Sequence, residues 1–355
     1  GLFSMKSVLP LTERSDSMKK WYWTGALVCI VVCSFNAASF SGETIKMQLV
    51  DCRKIWDKAP HNAFTDLIRF KGKWFCTFRE GKAHVSKDGR LRVIMSSDGQ
   101  KWESAALITS ETEDLRDAKL DYGPEGTLVL CGAGVDKRNK PQVLTSYIWT
   151  SPDGITWSKP IAVCQKDEWL WRITGNKGVY YGIAYDCKSI WKGKKKNYIR
   201  LYSSKDCVKF TPVGKALRSG KDYSNESEIV FHNDTAYCLL RRDMNTNATA
   251  LWGVSRPPYT AWEWNDLNVK IGGPAMIRLN NGKFLALLRL YNKTRTSVCV
   301  IDPDKLTLTE SVKLPSGGDT SYAGIVLEKD TLWISYYSSH EKKTCIYLAR
   351  VKISQ

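Results

Sequence analysis

A segment of related character recurs six times along this chain, about every 50 residues. The copies start at Phe64-Thr65-Asp66-Leu67-Ile68, Leu115-Arg116-Asp117-Ala118-Lys119, Leu170-Trp171-Arg172-Ile173-Thr174, Ser227-Glu228-Ile229-Val230, Gly273-Pro274-Ala275-Met276-Ile277 and Ser321-Tyr322-Ala323-Gly324-Ile325. With Asp66, Asp117, Arg172, Glu228, Ala275 and Ala323 taken as equivalent, the steps are 51, 55, 56, 47 and 48 residues. A period of this size, with short strands inside each copy, predicts an all-β, six-bladed propeller of four-stranded antiparallel blades. Such a ring brings the start of every innermost strand to one mouth, so residues hundreds of positions apart meet around one ligand.

Each copy has the same internal grammar. Blade one reads Leu67-Ile68-Arg69-Phe70, a turn at Lys71-Gly72-Lys73, then Trp74-Phe75-Cys76-Thr77-Phe78; the sixth reads Ile325-Val326-Leu327, a turn at Glu328-Lys329-Asp330, then Leu332 to Tyr337. These are strand-length apolar runs separated by turn residues, and no long amphipathic helix interrupts them. The segment Ile45–Asp51 is strand-like and is expected to supply the outermost strand of the last blade, which closes the ring and removes free edges. Residues 42–355 are thus read as one propeller domain.

The formal net charge is +17, from 53 Lys and Arg against 36 Asp and Glu. The basic residues are scattered rather than striped and no nucleic-acid-binding motif is present, so a nucleic-acid partner is not expected. Attraction to an acidic glycan is the functional reading of this charge, and a lysine-covered solvent surface the plain one. The one dense cluster, Lys192-Gly193-Lys194-Lys195-Lys196, reads as a solvated hairpin tip between Ile190 and Tyr198.

The N-terminus has the grammar of an export signal. Met18-Lys19-Lys20 carries charge, Gly25 to Val32 forms a short apolar core, and small residues follow at Ala37, Ala38, Ser39 and Ser41. Residues 1–41 are therefore set aside as an upstream extension plus signal, the apolar run is too short to span a bilayer comfortably, and a secreted, periplasmic or surface location is expected. Of the 11 cysteines, Cys76, Cys131, Cys238, Cys299 and Cys345 lie in apolar strand runs. Cys187 and Cys207 flank the lysine-rich hairpin and are the one pair placed to bridge in an oxidising compartment. No metal-ligand spacing and no glycine-rich phosphate loop appears, so no cofactor is expected. Asn225, Asn233, Asn247 and Asn292 match the glycosylation spacing.

A second repeated element lies at the third-strand turns: Ser96-Ser97-Asp98-Gly99-Gln100-Lys101-Trp102, Ser151-Pro152-Asp153-Gly154-Ile155-Thr156-Trp157, and a weaker Ser204-Lys205-Asp206-Cys207-Val208-Lys209-Phe210, with a degenerate copy ending at Trp262. It resembles the Asp-box of sialidase-type propellers. The Asp accepts backbone N–H groups across the turn, Gly allows positive φ, and the ring plugs between strands. Asp98 and Asp153 are therefore structural.

The resemblance extends to the mouth. Gly318-Asp319-Thr320-Ser321-Tyr322-Ala323-Gly324-Ile325 resembles the segment that carries the nucleophilic tyrosine of sialidases, and Asn225-Glu226-Ser227-Glu228-Ile229-Val230 the segment with its activating glutamate. Arg241 follows Glu226 by 15 residues, and Arg289 lies in the next blade, with Arg295 a competitor. The resemblance implies an exo-acting glycosidase on a terminal acidic sugar, most of all sialic acid, with retention; a monomer is expected. Tyr322 would attack, Glu226 would activate it, Arg241, Arg289 and Arg116 would bind the carboxylate, and Asp66 or Asp88 would donate the proton. The chemistry is coherent: a carboxylate on the anomeric carbon repels an anionic nucleophile, so a neutral phenol with an adjacent base serves better, and arginines clamp the carboxylate.

Two departures from the family pattern stand out. The first blade has Phe64-Thr65-Asp66-Leu67 where sialidases place an arginine, which leaves Arg116 or Arg172 to compensate. The loop after the first hairpin, Phe78 to Gly89, offers Asp88 as acid, with Glu80, His84 and Asp66 as rivals. Arg79, His84, Asp117, Arg172 and Glu228 are further candidate ligand contacts. Two other readings stay open: a propeller glycosidase acting on a different acidic or neutral sugar, and a glycan-binding propeller without catalysis.

Overall fold

In the computed structural model the described residues are 45–136, 138, 142–194, 197–219, 222–243 and 248–354. The export signal read at residues 18–41, the acceptor Asn247 and the lysines at 195–196 lie outside them.

Six antiparallel blades follow one another. Their inner strands are His61–Phe70, Glu113–Tyr122, the split pair Glu168–Leu170 and Thr174–Asn176, Tyr223–His232, Ile271–Arg278 and Thr320–Glu328. Lys46–Trp56 pairs antiparallel with Lys343–Ser354 and is the outer strand of blade six, so the ring closes with strands from both ends of the described chain. The alternation of apolar and polar residues buries each blade against the next. Ile68, Phe70 and Phe75 of blade one pack with Leu115, Leu120, Leu130 and Trp149 of blade two, for example. Leu285, Leu287 and Val298 of blade five pack with Leu332, Ile334 and Ala349 of blade six.

The Ser-x-Asp turns are held by the local bonds their residues suggest. Asp98 Oδ1 accepts the amides of Gln100 and Lys101 at 2.7 and 3.0 Å, and Asp153 Oδ1 those of Ile155 and Thr156 at 2.8 Å each. The indoles of Trp102, Trp157 and Trp262 each donate to the carbonyl three residues before. Gly154, at φ 78°, is needed for a second reason: a Cβ there would lie 2.4 Å from the Phe75 ring of the neighbouring blade.

One irregularity decides how the site is built. In blades one, two, four, five and six the inner strand carries one extra residue against its partner, and in blade three the strand breaks at the same place. These bulges align Phe64, Asp117, Asn225, Gly273 and Tyr322. They also correct the equivalence drawn from the sequence: Asp66 matches Lys119, Ser227, Ala275 and Gly324, not Asp117, Glu228 and Ala323. Spacing alone misplaced the register because the segment before each inner strand varies in length.

One local expectation is also corrected. Cys187 and Cys207 are free thiols, buried in different apolar clusters. The lysine cluster does lie in the connection of a hairpin, between the paired strands Val179–Asp186 and Tyr198–Ser204, with Lys192 and Lys194 exposed; a one-turn helix, Cys187–Trp191, precedes it, capped by the Asp186 carboxylate accepting Ser189 N–H at 3.1 Å. No helix of the described residues is long and apolar enough to cross a membrane.

Candidate active site

Several bulge residues converge at the mouth: the Phe64 and Tyr322 rings meet at 5.1 Å, Gly273 lies against Tyr322, and Asp117 feels the charge of Glu226. Phe64, Asp117 and Tyr322 hold φ of 63°, 49° and 51°, a left-handed conformation that costs a non-glycine residue roughly 1–2 kcal/mol. Such strain at equivalent positions of three blades is characteristic of a functional site. Blade five solves the same geometry with Gly273 at φ 55°, where a Cβ would lie 2.8 Å from the Tyr322 ring.

Tyr322 and Glu226 meet here, 96 residues apart in sequence. The Tyr322 hydroxyl donates to Glu226 Oε1 at 2.6 Å. Arg241 Nη1 bridges both, at 2.6 Å to Glu226 Oε1 and 2.9 Å to the phenol oxygen, and the Gly273 amide donates to Glu226 Oε2 at 2.9 Å. Burial alone would raise the Glu226 pKa, yet the charge of Arg241 and the bonds from Tyr322, Arg241 and Gly273 hold it below the usual carboxylate range. Burial and the Glu226 anion push the phenol well above its ordinary value. The pair is thus a neutral tyrosine poised on an ionised base. Phe64 and Trp171 meet the Tyr322 ring edge-on at 5.1 and 5.7 Å, and Arg289 lies 5.1 Å over its face.

Asp117 sits at the bulge of blade two. It is buried, and its Oδ1 has no hydrogen-bond partner among the described residues. Burial pushes its carboxyl up to about 6, with Lys119, Arg116 and Arg79 opposing and the Glu226 charge adding. Arg241 Nε, Trp171 Nε1 and Ser321 Oγ are likewise buried without partners. Buried polar atoms are ordinarily satisfied. Their concentration around one tyrosine points to a ligand that would satisfy them.

Several other sequence candidates are placed elsewhere. Asp66 and Glu228 lie two and three residues beyond the bulge positions Phe64 and Asn225, about 7–10 Å deeper along the strands. There Arg172 clamps both, at 3.2 Å to Asp66 and 2.8 Å to Glu228. Asp66 also accepts the Leu120 amide at 2.8 Å. These three form a buried cluster in the channel, where burial pushes the Glu228 carboxyl up to about 8. Asp66, held by Arg172 and the Leu120 amide, does not fit the proton-donor role, while Arg172 and Glu228 line a cavity with Asp121 and Thr174 that is separate from the tyrosine–glutamate pair. Arg79 is fully buried and ties the loop after the first hairpin to blade two, through Leu115 O, Ala83 O, Ser86 and Asp114; it is a structural clip. Glu80 accepts from the Trp56 indole and from Arg92. Asp88 is exposed and accepts the Lys82 amide within its own loop, with no bond to the tyrosine–glutamate pair. Arg116 leans on Asp114 at 2.7 Å, and Arg295 pairs with Glu310 on blade five.

Arg289 is at the mouth but engaged. Its Nε donates to Thr320 O at 2.8 Å, and its Nη2 reaches Asp319 at 3.3 Å and the Tyr337 hydroxyl at 2.8 Å. Arg79 occupies the same register of blade one and makes the equivalent pair of contacts, to Leu115 O and Asp114. Arg289 is therefore the repeat's clip as well as a mouth residue. Asp319, within the quoted tyrosine segment but assigned no role there, accepts from His61, His84 and Tyr337. Lys119, Trp171, Asp243 and Tyr291 were also missed. Lys119 lies over the Trp171 and Tyr322 rings, and Arg241 Nη2 donates to both Asp243 and Tyr291, contacts between blades or strands that no linear spacing displays.

No family profile and no curated protein matches the chain. Solved structures do. A Dyadobacter fermentans protein of unknown function superposes with TM-score 0.76 at 18% identity, over 87% of this chain and 99% of that one. The fold is that of the sialidase-type propellers. A Penicillium chrysogenum α-L-arabinanase complexed with arabinobiose gives TM-score 0.67 at 12% identity, over 85% of this chain and 98% of that one. Trypanosoma rangeli sialidase gives 0.64 at 12%, over 82% of this chain and 55% of that one. Proteins of this fold thus include an α-L-arabinanase and a sialidase.

Proposed function

We propose that this protein is a retaining glycosidase that removes a terminal sugar, with Tyr322 as nucleophile. The observation that carries this is the 2.6 Å bond from the Tyr322 hydroxyl to an ionised Glu226 bridged by Arg241. As the phenol oxygen bonds to the anomeric carbon, Glu226 takes its proton, and the leaving oxygen departs with a proton from Asp117. Water then attacks the glycosyl–tyrosine bond while Asp117 takes a proton back, and Glu226 returns the first proton to the phenol. Two inversions give net retention. Asp117 replaces Asp66 and Asp88 as donor because its oxygen is unpartnered at the mouth and burial keeps it protonated to about pH 6. The N-terminal export-type segment supports action on glycans outside the cell.

A tyrosine nucleophile suits a sugar with a carboxylate at the anomeric carbon, and the unpartnered Arg241 Nε offers a donor to it. A second reading, a neutral sugar, is favoured by a separate observation. Arg241 already pairs with Glu226 and Asp243, Arg289 pairs with Asp319, and the blade-one bulge carries Phe64 rather than an arginine. A panel of fluorogenic glycosides, including a sialoside and an arabinofuranoside, assayed with wild type and Tyr322→Phe, separates the readings. Release from none of the panel, or equal rates for both proteins, removes the mechanism.

A further inference from the structure

We propose that His61, His84 and Asp319 form a binding site for a divalent first-row metal ion of the zinc class. The three come from separate places: the start of the blade-one inner strand, the loop after the first hairpin, and the residue preceding the blade-six inner strand. His61 Nε2 and His84 Nδ1 both point at the same oxygen, Asp319 Oδ2, at 3.0 and 2.7 Å, and all three ligand atoms lie within 4.8 Å of one another. Two imidazoles and one carboxylate are the donor set of open zinc sites, and they disfavour magnesium and calcium.

The geometry needs little adjustment. Zinc bonds of about 2.0–2.1 Å in a tetrahedron set ligand atoms about 3.3 Å apart, a few tenths of an ångström beyond the two histidine–aspartate separations of 3.0 and 2.7 Å, with the two imidazole nitrogens within 4.8 Å of each other. His84 can supply that movement, because its side chain is 49% exposed on a surface loop, whereas that of His61 is only 9% exposed. The other oxygen of Asp319 is already fixed by the Tyr337 hydroxyl at 2.7 Å and by Arg289 at 3.3 Å. Outer partners of this kind orient a ligating carboxylate and tune its affinity. The His84 ring also meets Phe64 edge-on at 5.0 Å, and Phe64 in turn touches Tyr322. The remaining coordination positions open on the exposed side of His84 and would take water or a ligand oxygen at the rim of the mouth. The site does not depend on the glycosidase reading.

The test is calorimetric titration of tag-free, chelator-treated full chain with Zn²⁺, with Co²⁺ absorption as a second readout of imidazole ligation. One ion per chain with micromolar or tighter affinity is expected. His84→Ala should weaken it at least about 100-fold with the fold intact by circular dichroism, since this loop residue is exposed. Tyr337→Phe should weaken it about 10–100-fold, and His340→Ala should leave it unchanged. Absence of saturable binding, equal affinity in His84→Ala, or loss in His340→Ala would overturn the assignment. Each readout is binding, so it stands or fails apart from sugar release.

Discussion

Replacing Asp117 by Asn should stabilise the protein at neutral pH and abolish most catalysis at the same time. Asp117 is buried at a left-handed bulge, a conformation Asn tolerates. Its carboxyl is raised from 3.8 to about 6, by burial first. Between those values the folded chain binds more protons at this residue than the unfolded chain, so stability falls as pH rises across the window and stays lower above it. At 1.36 kcal/mol per unit the loss is roughly 3 kcal/mol by pH 7. Asn carries no charge and escapes it. Urea unfolding followed by tryptophan fluorescence from pH 4 to 8 should therefore show Asp117→Asn and wild type nearly equal at pH 4. The variant should then lead by roughly 3 kcal/mol at pH 7.5. Activity should fall about 10²–10⁴-fold, and the limb of the pH–rate profile that declines above about 6 should vanish with the residual rate. A stability difference independent of pH, or a wild type more stable at pH 7.5, would refute the reasoning. The carboxylate would then be ionised without penalty, and the proton donor would have to be another group.

Other expectations are equally direct. Glu226→Gln should lower kcat about 10²–10⁴-fold with smaller change in KM, because the base is lost while the surrounding side chains remain. Gly273→Ala places a methyl 2.8 Å from the Tyr322 ring at positive φ; thermal melting should show a loss of about 1–2 kcal/mol, and kcat should fall as the ring shifts off Glu226. Arg79→Ala should cost about 3 kcal/mol in denaturant unfolding, the lower end of the range because Arg116 stays on Asp114. The same variant should leave KM nearly unchanged if Arg79 is a clip and not a ligand contact. Reductant should leave the melting temperature of the propeller unchanged, since Cys187 and Cys207 carry free thiols.

By itself the sequence determined the ring. Strand-length apolar runs at a period near 50 residues, and turns in which Asp, Gly and an aromatic satisfy one another locally, depend on short-range chemistry that one chain displays in full. The tyrosine–glutamate–arginine constellation was legible through a resemblance to sialidase segments: Tyr322 in the last copy, Glu226 at the edge of the fourth, Arg241 on the strand that follows. The tertiary structure decided the rest. Whether Asp66 or Asp117 faces the mouth turns on a single extra residue per inner strand, and a shift of that size changes which side chains point inward and how deep they lie. Arg289 and Arg79 became clips only once the next blade's carbonyl and aspartate were placed beside them. His61, His84 and Asp319, up to 258 residues apart, converge only because the ring closes blade six against blade one, and no linear spacing encodes a contact made by closure.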